Sequence, residues 1–348
     1  MASKAKPVGF AVVGLGAIAQ SSVLPAFRNT KRAKLVAVVS RDKKKAAQLG
    51  RKFGASSHYS NDEYNACLAN PEVDAIYLAT PPGEHRDLTV RSAQAGKHVL
   101  CEKPLAATPQ QSLEMVIACR EAKTLLMTAY RKFFEPSSLY LKKLIHRGDL
   151  GRIDLIHTSF SEQPTPPHCP VWLFDPKLAG GGPLMDLGVY CVNTSRWLVD
   201  EDPIEVEARS WQHDSWRFRE VEEGISFRMH FPSGLMVQGA STYNAAPSSF
   251  IYVQGSKGWL SLTPAFPFEE ERRLFGKISR KPVTRTFKIV DEFAPQIDAF
   301  AASIQGGPPV AADGMQGHRD IIILHAIYRS AQEQRPVAVE YGEQEKVA

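Results

Sequence analysis

Asp186 and Tyr190 stand four positions apart behind a Gly182-Pro183 helix start, a spacing that projects a carboxylate and a phenol from one helix face. The carboxylate can orient a polyhydroxyl compound by accepting its hydrogen bonds. The phenol can exchange a proton with a hydroxyl, but an ordinary phenol titrates at about 10 and needs a neighbouring cation to serve as a base near neutrality. Far upstream, Gly14-Leu15-Gly16-Ala17-Ile18-Ala19 reads GxGxxA between an apolar run and a helical pattern. Gly14 permits a tight turn, Gly16 lets the backbone approach a pyrophosphate, and Ala19 is small enough for close packing of helix on strand. The start of the helix then faces the negative charge.

The end of the second strand pattern bears on NAD against NADP. NAD sites usually place an acid there to accept from the ribose 2′-hydroxyl. This chain has Val39-Ser40-Arg41-Asp42-Lys43, with no acid directly after the strand. Ser40 can hydrogen-bond a 2′-phosphate, Arg41 can pair with it or lie on the adenine, and Lys45 stands one helical turn beyond. Asp42 is the alternative, as a ribose acceptor, and an exposed basic helix start is the plain one. The reading taken is NADP.

These residues need elements to hold them. Apolar, β-branched runs at 8–13, 35–39, 73–79, 98–101 and 125–128 alternate with helical patterns at 43–53, 87–95 and 110–122. Runs of that kind suit strands covered on both faces, and the alternation predicts an α/β Rossmann domain with a parallel, doubly wound sheet. From about residue 130 the rhythm changes. A helix at 137–146 precedes strand patterns at 152–161, 204–211, 224–231, 235–242, 250–254 and 258–263, with hairpin turns at 231–234 and 255–258. Helical patterns at 291–303 and 315–331 close the chain. The expectation is a dinucleotide-binding domain over 1–128, then an α+β domain over 129–348 with a large, mostly antiparallel, open-faced sheet.

Composition narrows the function classes. The chain has 348 residues, 43% hydrophobic and 23% charged, enough for two full cores. Its net charge of +5 includes Lys43-Lys44-Lys45, which reads as a solvated helix face and demands no nucleic acid. No apolar run is long enough to span a membrane, and the glycine motif comes too early for a cleaved signal, so a cytoplasmic protein is expected. Cys67, Cys101, Cys119, Cys169 and Cys191 are scattered and odd in number, as buried thiols are. His168-Cys169, His318 and His325 lack further ligands of matching spacing, so no metal is expected.

Four stretches together carry a resemblance. GxGxxA at Gly14–Ala19, Cys101-Glu102-Lys103-Pro104, Tyr130-Arg131 and GGGPLMDLGVYCVN at 180–193 resemble the Gfo/Idh/MocA oxidoreductases over essentially the whole chain. Tyr190, where many members carry histidine, is similar to the glucose–fructose oxidoreductase branch. The resemblance implies hydride transfer between NADP and a sugar, either an aldose or a polyol. Tyr190 would be the general acid/base, Lys103 would supply the cation and anchor a substrate hydroxyl, and Asp186 would orient the sugar. It places Thr80, Pro81, His85, Glu102 and Arg131 along the dinucleotide, and brings Arg131 and Trp172 toward the substrate. That branch often has arginine after the tryptophan, where this chain has Leu173. A cis peptide at Pro104 is one way to aim Lys103.

Other readings stay open. Singly, Tyr190 reads as an interfacial aromatic, Asp186 as a charge favoured by the helix dipole, and Lys103-Pro104 as a turn. One alternative function is a sugar–sugar oxidoreductase that keeps its nicotinamide bound. The sequence has no long N-terminal arm of the kind that traps cofactor, which favours exchange. A non-catalytic NADP-binding regulator is the other, opposed by the retention of Lys103, Asp186 and Tyr190. A hydrolytic variant fits less well without an acid after the second strand. The partners expected are a small carbohydrate and a second copy of the chain, as dimer or tetramer, covering the open sheet.

Overall fold

The structure is a computed structural model that describes residues 6–164 and 170–342, so His168 and Cys169 lie outside the described residues. Two compact units emerge. The first holds the chain up to Ala106 together with Gln110–Phe133 and Asp291–His318, and the second holds Ala107–Pro109, Phe134–Val290 and the chain from Arg319.

In the first unit six strands form one sheet: β1 Val8–Val13, β2 Ala33–Ser40, β3 Ser57–Ser60, β4 Ala75–Leu78, β5 His98–Cys101 and β6 Leu126–Thr128. Their order is β3-β2-β1-β4-β5-β6, and every pair is parallel. All six side chains of β1 and all four of β4 are buried, as continuous apolar runs in a doubly covered sheet require. β3 has no strand pattern in its sequence. Ser57-His58-Tyr59-Ser60 has no apolar run, and its strand state comes from pairing with Ala37–Ser40 at the sheet edge. The strands expected third and fourth are therefore β4 and β5.

The helix after GxGxxA opens in a widened turn, Ala19–Val23, before an α-helical turn at Leu24–Ala26. Pro25 has no N–H for an α-helical bond back to Ser21, which suits a local change of hydrogen-bond step. The helix Lys43–Phe53 ends as its sequence dictates, at Gly54 with φ 80°. Asp291–His318 docks on this unit through side chains that its own pattern does not announce. Phe300 packs 6.3 Å from Phe10, Asp298 accepts from the backbone N–H groups of Lys31 and Arg32, and Ala312 O accepts from Thr128 N at 2.8 Å.

Among the described residues the second unit carries nine strands: β7 Ile153–Ser161, β8 Glu205–Trp211, β9 Gly224–His230, β10 Met236–Thr242, β11 Ser248–Gly255, β12 Gly258–Thr263, β13 Arg272–Ile278, β14 Lys281–Phe287 and β15 Val337–Ala338. The order is β14-β13-β12-β11-β7-β10-β9-β8-β15. Only β7 and β10 pair in parallel. Both expected hairpins are present, closing His230 on Met236 and Gly255 on Gly258. Burial alternates along β10, and the helix Val189–Val199 packs on β7 and β10. The half-exposed face carries a cross-strand row of rings. Tyr252 lies 6.0 Å from His157 and 5.5 Å from Trp259, and Trp259 lies 6.2 Å from Phe275.

Candidate active site

The expected cofactor residues of the first unit all follow carboxyl ends of its parallel strands. Gly14 follows β1, Ser40 closes β2, Thr80 follows β4, Glu102-Lys103 follows β5 and Arg131 follows β6. In open parallel sheets, ligands bind at that edge, where the strand order reverses. Here the reversal lies between β1 and β4. Gly14 has φ +89°, and a Cβ there would come within 2.5 Å of Ala79 O. Gly16 is the opposite case, since among the described residues a Cβ would meet nothing within 4 Å and would project into open space. Ala17 is exposed, Ile18 half-buried, and Ala19 is fully buried against the sheet. Beside Gly14, Thr80 Oγ1 is buried with no hydrogen-bond partner among the described residues. A glycine cradle, exposed helix-start amides and an orphaned hydroxyl fit a dinucleotide's phosphates. A cavity of about 330 Å³ adjoins them, lined by Val13, Val39, Asn61, Tyr64 and Leu88.

Asp42 has another task. Its Oδ1 accepts from Lys45 N at 3.0 Å and caps the helix Lys43–Phe53. Ser40 is 8% exposed and accepts from Asp42 N at 3.3 Å, while Arg41 is exposed. A carboxylate engaged as a cap is a poorer ribose acceptor, whereas Ser40 and Arg41 stay at the strand end.

The Lys103-Pro104 peptide is cis. Lys103 itself is half-buried, and its neighbour Glu102 is buried, accepting from Tyr77 OH at 2.8 Å and from Lys103 N at 3.2 Å. Burial pushes the Glu102 carboxyl upward, opposed chiefly by the Lys103 charge. Arg131 forms a buried ion pair with Glu292 at 2.6 Å, which fixes it beyond β6. His85 has no exposed surface. Its Nδ1 lies 3.1 Å from Leu105 O and its Nε2 2.8 Å from Thr80 O, so the ring braces one loop against the other. Pro81 stands at the head of the helix that carries it.

In the second unit, Asp186 lies in a second widened helical turn, Leu184–Gly188, and Tyr190 opens the α-helix that follows. Such turns are frequent at functional sites. Asp186 Oδ2 accepts from Tyr243 OH at 2.8 Å. Burial, and then the Asp186 charge, push the Tyr243 phenol well above its ordinary range, so it remains the donor. The Tyr190 ring is 7% exposed and packs against Phe160 at 5.9 Å and Phe266 at 5.6 Å. Trp172 is partly exposed in a short helical turn, and the Leu173 that replaces an arginine is buried.

The glycine run before this turn has a long-range cause. Glu222 accepts from Gly182 N and Leu184 N, both at 3.0 Å, and from Tyr328 OH at 2.8 Å. A Cβ on Gly182 would lie 2.6 Å from Glu222 O, and one on Gly181 would lie 2.1 Å from Tyr328 Oη. Neither Glu222 nor Tyr243 was expected from the sequence. The available signal was a tyrosine just past a strand pattern, since a buried phenol needs a partner. Glu222→Ala leaves two helix-start amides and a phenol without their acceptor. It is expected to cost about 1–3 kcal/mol, and urea unfolding at wild-type stability would remove Glu222 from this role.

The two flagged histidines have partners within their own units. His318 Nδ1 lies 2.7 Å from Ser112 Oγ, and His325 Nε2 lies 3.0 Å from Ala107 O. Among the described residues, no three His, Cys, Asp or Glu gather as a metal site would, and no helix is long and apolar enough to cross a membrane. Cys67, Cys101, Cys119 and Cys191 are free and buried, with burial pushing the Cys119 thiol up to about 11 and those of Cys67 and Cys191 to about 12.

Comparison with known proteins agrees with this layout. Residues 8–130 match the family model described as "Oxidoreductase family, NAD-binding Rossmann fold", and residues 138–261 match the "GFO/IDH/MocA C-terminal domain". The chain is 30% identical to the D-xylose 1-dehydrogenase [NADP(+)] of Haloarcula marismortui, covering 96% of this chain and 94% of that protein. It is similar to the aldose–aldose oxidoreductase of Caulobacter crescentus, solved with glycerol, with a TM-score of 0.90 and 33% identity over 96% of this chain and 100% of that one. A 3-ketoreductase of Actinomadura kijaniata, solved with NADP and TDP-benzene, gives a TM-score of 0.83 and 25% identity over 93% of this chain and 98% of that one.

Proposed function

The chain belongs to the Gfo/Idh/MocA oxidoreductase family, and from that premise we propose that it transfers a hydride between NADP and a sugar, an aldose or a polyol. The observation that carries the reading is the Asp186–Tyr190 turn, in which a tyrosine and a glutamate hold a carboxylate and its helix start four residues before a phenol. An NADP-dependent xylose dehydrogenase and an aldose–aldose oxidoreductase among the relatives support it.

Gly14, Gly16, Ala17, Ile18 and Ala19 would hold the pyrophosphate with Thr80 and Pro81, and Ser40, Arg41 and Lys45 the 2′-phosphate. When bound, the nicotinamide supplies or accepts the hydride. Tyr190 takes the hydroxyl proton in oxidation and returns it in reduction. Lys103 contributes the cation that favours phenolate and anchors a substrate hydroxyl. Asp186, as an ionised carboxylate, accepts from sugar hydroxyls. Trp172 borders the sugar. Glu102, His85 and Arg131 would line the dinucleotide from loops that their own contacts brace, with Arg131 also toward the sugar. A second copy of the chain, in a dimer or tetramer, covers the ring-bearing face of the sheet.

The test is to strip the protein of nucleotide, add NADP⁺ or NAD⁺ with a panel of aldoses and polyols, and follow the absorbance of reduced nicotinamide. NADP⁺-dependent signal with one sugar class supports a dehydrogenase. Sugar-driven bleaching and recovery of retained nucleotide supports the sugar–sugar reaction, which the aldose–aldose oxidoreductase relative favours. Silence in both, with NADP bound, supports the regulator. Arg41→Ala is expected to raise the KM for NADP⁺ about tenfold and leave that for NAD⁺ nearly unchanged, the loss of one charge-assisted hydrogen bond. Equal effects on both would detach Arg41 from the 2′-phosphate.

A further inference from the structure

β7 and β10 run parallel, with Ser161 opposite Thr242. Their pairing continues one residue further, because Glu162 N donates to Thr242 O at 3.1 Å. Glu162 and Tyr243 therefore leave the carboxyl ends of adjacent strands side by side. Tyr243 donates to Asp186, so this edge of the sheet meets the turn that carries the proposed sugar-orienting carboxylate. Side chains alternate along a strand, which puts Glu162 on the same face as Phe160. The Phe160 ring packs 5.9 Å from that of Tyr190. Glu162 is thus half-buried beside the Asp186–Tyr190 turn, although no motif marks it.

Two carboxylates act on it, and one of them, Glu270, follows four residues after Phe266, whose ring packs 5.6 Å from that of Tyr190. Burial first, then the carboxylates of Asp186 and Glu270, push the Glu162 carboxyl upward, and Glu269 and Glu271 flank Glu270 in the chain. Within this unit, Arg217 is a nearby cation. Its guanidinium lies 5.3 Å from the ring centre of Phe174 and 5.2 Å from that of Phe218, and it donates to Pro164 O. Ionised carboxylates only accept hydrogen bonds. They pair well with a ligand rich in hydroxyl donors. A phosphate or carboxylate on the ligand offers acceptors in return and adds like charge in a partly desolvated place. The first unit has the reverse chemistry at Ser40-Arg41, where a phosphate is expected.

We infer that the substrate region of the second unit selects uncharged sugars over phosphorylated or acidic ones, with Glu162 as a specificity-determining residue, an inference that rests on the sugar reading above. The repulsive element matters as much as the attractive one in setting such a preference. Asp186 favours any sugar that presents hydroxyls, whereas Glu162 and Glu270 act against the anions.

The test takes one aldose that the protein oxidises, its 6-phosphate and its uronic acid. It measures kcat/KM with NADP⁺, and binding by intrinsic fluorescence without turnover. The neutral sugar is expected to exceed each anion by about tenfold or more, and Glu162→Gln to narrow that ratio about threefold to tenfold through KM. Glu270→Gln, at an exposed position, is expected to narrow it in the same direction by less, and serves as the variant whose folding is not at issue. Turnover with no preference between neutral and anionic sugars, or a ratio unchanged in both variants, overturns the inference and leaves the sugar reading standing. Absence of both turnover and binding across neutral and anionic sugars alike overturns the sugar reading, and this inference with it.

Discussion

Tyr190→Phe is expected to lower turnover by about two to four decades, the usual contribution of a positioned general acid or base. The substitution removes one oxygen and leaves the ring. Packing against Phe160 and Phe266 at 5.9 and 5.6 Å is retained, so the fold and NADP affinity are expected to hold. The loss belongs in kcat, because the proton leaves or arrives only as the carbon changes oxidation state. The measurement is kcat and KM with NADP⁺ and the best sugar of the panel, beside NADP titration and thermal unfolding of the same samples. Turnover within a fewfold of wild type would remove Tyr190 from the proton transfer. A loss of NADP affinity as large as the loss of turnover would make it a packing residue instead.

The parts of this site that the sequence discloses are those whose causes are local. GxGxxA is legible because the turn, the phosphate approach and the helix packing are each solved by the residue present. The helix Lys43–Phe53 is legible for the same reason, though which role Asp42 takes is not. A cap and a ribose acceptor look alike in one dimension, and the hydrogen bond to Lys45 N distinguishes them. Gly182-Pro183 is readable as a helix start, but the reason for glycine at 181 and 182 lies in Tyr328 and Glu222, far along the chain. Tyr243 and Glu162 reach the Asp186 turn only because β10 and β7 are parallel neighbours, and strand pairing is a tertiary fact.

The same division applies to the fold. The buried strands of the first sheet are written in continuous apolar runs, whereas β3 exists because β2 offers it an edge. β13 and β14 are not legible as strands because their sequences contradict a simple alternation. Arg272 is fully buried within β13, 3.7 Å from Glu135, and β14 is mostly exposed and contains Pro282. Edge strands tolerate both proline and charge, which is what hides them from a pattern search. The return of Asp291–His318 to the first unit has no local signal either. It depends on Phe300 finding Phe10 and on Asp298 finding two backbone amides some 266 residues away in sequence.

Gly14 and Gly16 are expected to fail in different ways when each is replaced by alanine, and the difference tests the cofactor site. At Gly14 the backbone sits at φ +89°, a region that costs an L-residue roughly 1–2 kcal/mol. The new Cβ would also meet Ala79 O at 2.5 Å and Ala79 C at 2.7 Å, which are backbone atoms at the end of a buried strand. Close-packed interiors yield little to such an intrusion. Gly14→Ala is therefore expected to lower the melting temperature and to weaken NADP binding by about a hundredfold or more, since about 1.4 kcal/mol is each factor of ten. At Gly16 a Cβ meets no neighbouring atom of the described residues within 4 Å, so Gly16→Ala is expected to melt as the wild type does. Its methyl group instead projects into the space proposed for the pyrophosphate, and affinity is expected to fall by about tenfold to a hundredfold for that reason alone. Thermal unfolding without nucleotide, followed by NADP titration, separates the two effects. A Gly16→Ala protein that binds NADP normally would show that this turn does not hold the pyrophosphate. A Gly14→Ala protein of unchanged stability would show that the backbone between β1 and β4 yields where its packing says it should not.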